Sequence, residues 1–143
     1  VAKVEAIAPS HPNAIVIGGD TFVLSDGEIL EKPADSDEAT GMLRRISGSE
    51  IVVVTGYAYL DSARQQVESG VETVRVLMRD LSETVIQKYV ETEPVTTWSA
   101  AFSPAYDTGI ALVARIEGSC TAFTHGLPLE KITPMLRDSG FST

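Results

Sequence analysis

Residues 14–24 read Ala-Ile-Val-Ile-Gly-Gly-Asp-Thr-Phe-Val-Leu, an apolar run broken only by two glycines, an aspartate and a threonine. Such a run predicts a strand covered on both faces. A carboxylate inside a covered strand costs several kcal/mol unless it is paired, hydrogen-bonded or bound to a metal. Gly18 and Gly19 remove the side chains just before it, so a ligand or another backbone can come close. Asp20 is therefore the first candidate for chemistry. It reads as a ligand of a divalent cation or a base toward water. An Asx-type turn residue bonding the backbone near Thr21 explains the position equally well.

A chain of 143 residues suits one domain with a substantial core. The net charge of −9 argues against a nucleic-acid polymer as partner, because a face that binds a phosphate backbone is basic. It leaves room for a small phosphorylated ligand, held by a few Lys or Arg groups or by a bridging divalent cation. No apolar run approaches the ~20 residues of a membrane helix, and no signal peptide is visible, so no membrane partner is expected. The single cysteine, Cys120, cannot form an internal disulfide, which fits a reducing, cytoplasmic setting. The first eight residues read as helix without an N-cap, which predicts entry in mid-element and a segment upstream.

That helix stops at Pro9 and Pro12, before the strand over 14–24. Ser25-Asp26-Gly27-Glu28 has hairpin chemistry, with Ile29-Leu30 as a short return strand. Asp35 and Glu38 have capping-box spacing at the head of a helix over about 36–47, and Gly48 suits its C′ position. Residues 51–60 form a second buried strand, and the alternating, valine-rich stretch 66–78 reads as its antiparallel partner. Ser82 caps a helix to about Val90. A Thr-, Ser- and Pro-rich loop follows over 91–108, then a strand over 110–116 and a helix over about 128–137 with a bend near Pro134. The pattern is a single α/β domain with a mixed twisted sheet flanked by helices.

Four other residues stand beside Asp20. Lys32 follows it across the predicted hairpin, which brings it back beside Asp20; it reads as a point charge for phosphate or as a solvated loop lysine. Lys3 taken alone is a helix surface residue. Glu117 ends the strand over 110–116, ahead of Gly118 and Ser119, which suit a helix N-terminus. Its simpler reading is a pair with Arg115 or a solvent-facing acid. Thr21 follows Asp20 directly. His11 and His125 are isolated, no spacing resembles a zinc site, and Cys120 lacks a clear base partner. Neither a phosphate loop nor a dinucleotide fingerprint is present. Trp98 and Phe102, in the long loop, either stack on a base or anchor the loop to the core.

In order, these pieces resemble the Maf family of nucleoside triphosphate pyrophosphatases. Ala2-Lys3 is similar to the family's Lys-Ala helix, and Ile17-Gly18-Gly19-Asp20-Thr21-Phe22-Val23 to its Gly-Ala-Asp-Thr-Val-Val. Glu31-Lys32-Pro33-Ala34-Asp35 resembles Gly-Lys-Pro-x-Asp, and Val54-Thr55-Gly56 resembles Val-x-Thr-Gly. Ala39 through Ser47-Gly48, Tyr89, Glu93-Pro94, Ile116-Glu117-Gly118-Ser119 and Gly126-Leu127-Pro128-Leu129 complete the set. Each motif is weak alone; their shared order over nearly the whole chain is specific.

The resemblance implies a Maf and inosine-triphosphatase-like fold. It also implies hydrolysis of a nucleoside triphosphate between its α and β phosphates, with magnesium or manganese, and a homodimer. It makes Asp20 the catalytic and metal-binding acid, gives Lys3 and Lys32 to the phosphates, and puts Thr21 and Glu117 at the substrate site. Two departures stand out. The family's opening Ser-x-Ser-x-Arg-Arg segment has no counterpart here, and Trp98 and about Ala105 occupy its usual lysine and glutamine positions. Turnover and its alternative, a nucleotide-binding regulator or scaffold on the same fold, both remain open at this point.

Overall fold

A computed structural model describes residues 1–141. Five strands make one sheet in the order β2-β1-β3-β4-β5. They are β1 (Ile15–Ser25), β2 (Glu28–Leu30), β3 (Glu50–Asp61), β4 (Gln66–Met78) and β5 (Val113–Glu117). The helices are α1 (Ala2–Ile7), α2 (Ser36–Ile46), α3 (Glu83–Thr92), α4 (Asp107–Ile110), α5 (Cys120–His125) and α6 (Leu129–Asp138). The α/β class with flanking helices is as expected, but strand direction is antiparallel rather than mixed. The registers of β1 with β2 and of β4 with β5 run antiparallel. The same direction holds for β1 and β3, where Ser62 N–H donates to the Ala14 carbonyl at 3.1 Å and Thr21 meets Thr55. β3 and β4 form one long hairpin. β2 and β3 point the same way but lie on either side of β1, so the helical crossover between them creates no parallel pair.

The chain groups into two compact units, with β1, β3 and β4 each contributing residues to both. The first comprises residues 1–21, 55–72 and 119 onward. Its core brings Val4 of α1 onto Ala58 and Leu60 of β3, with Ala8 and Val16 packed around them. Buried Tyr59 donates its hydroxyl to Ser139 Oγ at 2.8 Å, just beyond α6. The second unit comprises residues 22–54 and 73–118. There α2 packs on α3 through an apolar face that includes buried Leu43, Ile46 and Ile86. Asp35 caps α2 by accepting the Glu38 N–H at 2.9 Å, and Glu38 reaches back to the Ala34 N–H. The capping-box spacing therefore acts through the residue before the cap.

Two stretches differ from the sequence reading. Residues 107–110 are helical and β5 begins only at Val113. The Gly109 and Ile110 N–H groups donate to the Tyr106 carbonyl at 3.0 and 2.9 Å, and a Cβ on Gly109 would meet the Ser103 carbonyl oxygen, so the turn has room for glycine only. The second difference is α5, a six-residue helix whose start Gly118-Ser119 signalled but whose extent the sequence did not show. Ser119 Oγ caps it by accepting the Ala122 N–H at 3.1 Å, and Gly126 ends it at φ +68°.

Candidate functional site

The sequence placed Asp20 in a strand covered on both faces, and the structure corrects this. β1 is exposed at Gly19 and Asp20, and the Asp20 side chain is 77% exposed. The two glycines before it leave room for neighbouring backbone and side chain to come close. Both close approaches are made by the protein itself. A Cβ on Gly18 would lie 2.9 Å from Val4 Cγ1 of α1, and one on Gly19 would lie 2.4 Å from the Gly126 carbonyl oxygen. Gly18-Gly19 is thus the surface on which α1 and the α5–α6 connection dock.

Docking α1 on Gly18 carries Lys3 to Asp20. Its ammonium stands 3.1 Å from Asp20 Oδ2. With 68% and 77% of the two side chains exposed, the pair is worth about 0–1 kcal/mol. It is therefore exchangeable: a more highly charged anion can draw Lys3 away, and Asp20 stays accessible. Beside the pair runs a groove of about 450 Å³, lined by the start of α1, by Gly18–Asp20, by Gly56–Ala58 and by Ser69–Val71. Gly56 is the residue of β3 opposite Asp20, and a Cβ there would meet nothing nearer than the Asp20 carbonyl oxygen at 4.0 Å. The floor next to the carboxylate is bare backbone.

Thr21 faces inward to a different task. Buried Thr55 donates its hydroxyl to the Ala122 carbonyl at 3.1 Å, so the 3.0 Å contact between the two threonines has Thr21 as donor. The chain Thr21–Thr55–Ala122 ties β1 to β3 and α5 immediately after Asp20. Further along, Thr121 donates to Glu130 Oε2 at 2.7 Å and accepts the Leu129 N–H at 2.9 Å. Hydrogen bonding, from Ser119 first and also from Thr121, holds the Glu130 carboxyl below its usual range. This clamp steadies the α5–α6 connection that approaches Gly19.

The remaining candidates belong to the second unit. Lys32 is exposed, directly before buried Pro33 in the link from β2 to α2. Glu117 closes β5 and pairs with Arg115 at 3.1 Å, the simpler of its two sequence readings. Phe102 is a core anchor at 3% exposure, whereas Trp98 is half-buried and packs its ring against Tyr106. Thr55 and Tyr106 escaped the list of candidates. Thr55 was legible only as part of the Val-Thr-Gly motif, and nothing in the sequence pairs Tyr106 with Trp98.

With this arrangement in view, the order of motifs gains an independent check: the family model described as Maf-like protein matches residues 1–139. The chain belongs to the Maf-like family. Among its relatives is the dTTP/UTP pyrophosphatase of Pelotomaculum thermopropionicum, 36% identical over 140 residues, which are 98% of this chain and 72% of that protein. The 7-methyl-GTP pyrophosphatase of Chromohalobacter salexigens is equally similar, at 36% over 140 residues with the same coverage. The 7-methyl-GTP pyrophosphatase of Pseudomonas aeruginosa is 34% identical over 139 residues, covering 97% of this chain and 72% of that one. In this Maf-like chain the Gly-Gly-Asp-Thr motif does two jobs. Its glycines and threonine assemble neighbouring backbone, and its aspartate is left open at the groove.

Proposed function

We propose that this Maf-like protein hydrolyses a nucleoside triphosphate to the monophosphate and pyrophosphate. The observation that carries the reading is the exposed Lys3–Asp20 pair beside a glycine-floored groove. It is supported by relatives whose names specify pyrophosphatases acting on dTTP and UTP or on 7-methyl-GTP. In this reading water attacks phosphorus, the anhydride bond between the α and β phosphates breaks, and pyrophosphate leaves. Asp20 orients the water and takes its proton. Lys3 exchanges its carboxylate partner for a phosphate oxygen and offsets charge there. Lys32 is a second phosphate contact, and Thr21 and Glu117 belong to the substrate site, Thr21 by holding β1 in place behind Asp20.

The reading includes a magnesium or manganese ion. Among the described residues no group of three or more His, Cys, Asp or Glu is placed to hold a metal. A lone, accessible Asp20 carboxylate fits the alternative, an ion held largely by water and phosphate oxygens with one protein carboxylate. Asp20 is the residue that would hold such an ion, which would supply neutralisation of phosphate charge. No described helix is long and apolar enough to cross a membrane. A cytoplasmic setting and a homodimer remain part of the proposal.

The test is pyrophosphate release from dTTP, UTP and 7-methyl-GTP with magnesium present. Asp20→Asn is expected to abolish release while leaving the melting temperature unchanged. Unchanged turnover removes Asp20 from its role. Nucleotide binding by calorimetry without release from any triphosphate favours the regulator reading instead.

A further inference from the structure

The groove beside Asp20 has two chemically different ends, and the register of the β3–β4 hairpin sets them. The Met78 N–H donates to the Ser49 carbonyl at 2.9 Å, and at the hairpin's other end β3 stops at Asp61 and β4 starts at Gln66. Between these points the pairing runs without a shift. The Tyr57 ring lies against Gly70, its partner in that register: a Cβ on Gly70 would be 2.6 Å from the Tyr57 hydroxyl oxygen. Val71 is therefore opposite Gly56, which is itself opposite Asp20. Residues directly opposite one another in a sheet share a face. Asp20, bare Gly56 and Val71 thus form one row across β1, β3 and β4, about 10 Å from end to end at the usual strand spacing. All three line the groove, and all three belong to the first unit.

Val71 is 66% exposed, so the core does not use it. Its neighbours are nevertheless held. Gly70 carries the Tyr57 ring, and Glu72 pairs with Lys131 of α6, both on the opposite face of the sheet. Branching at Cβ leaves the valine few rotamers. Its two methyl groups are therefore offered to the groove from a fixed place. The charged side chains of the groove, Lys3 and Asp20, stand at the other end of the row.

We propose that Val71 is the apolar wall against which the nucleoside of the substrate packs. It is then the residue by which the groove selects a nucleoside triphosphate over an inorganic polyphosphate. The inference rests on the pyrophosphatase reading and adds where the uncharged half of that substrate lies. With the reacting phosphate at Asp20, the 5′ carbon and sugar lead away from the charged end. Gly56 puts no side chain in their way, so the nucleoside crosses bare backbone and meets Val71. An apolar wall takes sugar and base carbon out of water without demanding a particular set of hydrogen bonds. It favours nucleosides as a class rather than one base.

The test is calorimetric binding, with magnesium, of the α,β-methylene analogues of UTP and GTP and of inorganic tripolyphosphate, which has the charge but no nucleoside. Val71→Thr keeps the branched shape and strand preference but exchanges one methyl group for a hydroxyl. It is expected to weaken the nucleotide analogues about three- to tenfold, and Val71→Ala at least as much. Tripolyphosphate affinity and the melting temperature of Val71→Thr should stay nearly unchanged. Equal weakening of tripolyphosphate, unchanged nucleotide affinity, or failure of the parent to bind either analogue overturns the wall. The analogues are not hydrolysed, so the comparison is independent of turnover. Nucleotide binding that responds to Val71, without pyrophosphate release from any triphosphate, keeps the wall and removes the pyrophosphatase reading; release with binding indifferent to Val71 does the reverse.

Discussion

Two glycines that face each other's neighbourhoods across β1 and β3 should respond in opposite ways to the same added methyl group. In Gly19→Ala the new Cβ would sit 2.4 Å from the Gly126 carbonyl oxygen and 3.1 Å from Leu127 Cδ2. A comfortable carbon–oxygen approach is about 3.3 Å, so β1 or the α5–α6 connection must give by roughly 1 Å. The obstacle is backbone, clamped by Thr121 and Glu130, and cannot rotate aside. Overpacking of this kind costs about 1–3 kcal/mol, a fall in melting temperature on the order of 3–10 °C for a chain of this size. In Gly56→Ala the nearest contact is 4.0 Å and the backbone is not left-handed. The methyl should be neutral or stabilise by about 0.5–1 kcal/mol, because alanine loses less freedom on folding than glycine. It projects into the groove beside Asp20, so its effect should fall on KM. Urea and thermal unfolding measure the first quantity, and steady-state pyrophosphate release the second. If Gly19→Ala is as stable as the parent, or Gly56→Ala is the destabilised one, the assignment of Gly19 to packing and Gly56 to the groove is wrong.

A further outcome follows from another part of the molecule. Asp61 is 2% exposed and accepts from Arg64 Nη1 at 2.7 Å and from Ser139 Oγ at 2.8 Å. Hydrogen bonding, from Arg64 first and then Ser139, lowers its carboxyl from 3.8 to about 2. The folded state therefore holds a proton there less readily than the unfolded chain. The resulting stability is fully present above about pH 3.8 and is lost as pH falls toward 2. Melting curves of Asp61→Asn should show a shallower acid limb over that window than the parent, and parallel curves would remove Asp61 as its cause.

Element types were largely legible because their signals are local. Hairpin chemistry at Asp26-Gly27, the Asp35 and Ser82 caps and the alternation of β4 each depend on a few adjacent residues, and all appear where expected. Of helix α5 only the start at Gly118-Ser119 was legible, since its extent depends on Gly126 and on the Thr55–Ala122 contact. Strand directions were misread as mixed because apolar runs report burial and say nothing of which neighbour a strand pairs with.

For the site, sequence by itself determined which residue was out of place: Asp20, after two glycines, in a run otherwise apolar. The order of motifs around it was enough to mark the family. Tertiary structure alone decided what that placement means. The carboxylate is open rather than buried, and the two glycines before it leave room for neighbouring backbone and side chain to come close. Lys3 became its partner because α1 docks where a Cβ on Gly18 would stand. Thr21 became a tie to Thr55, and Trp98 packs on Tyr106. The Lys3–Asp20, Val4–Gly18 and Thr21–Thr55 contacts join residues far apart in the chain, where spacing along the sequence carries no information about distance.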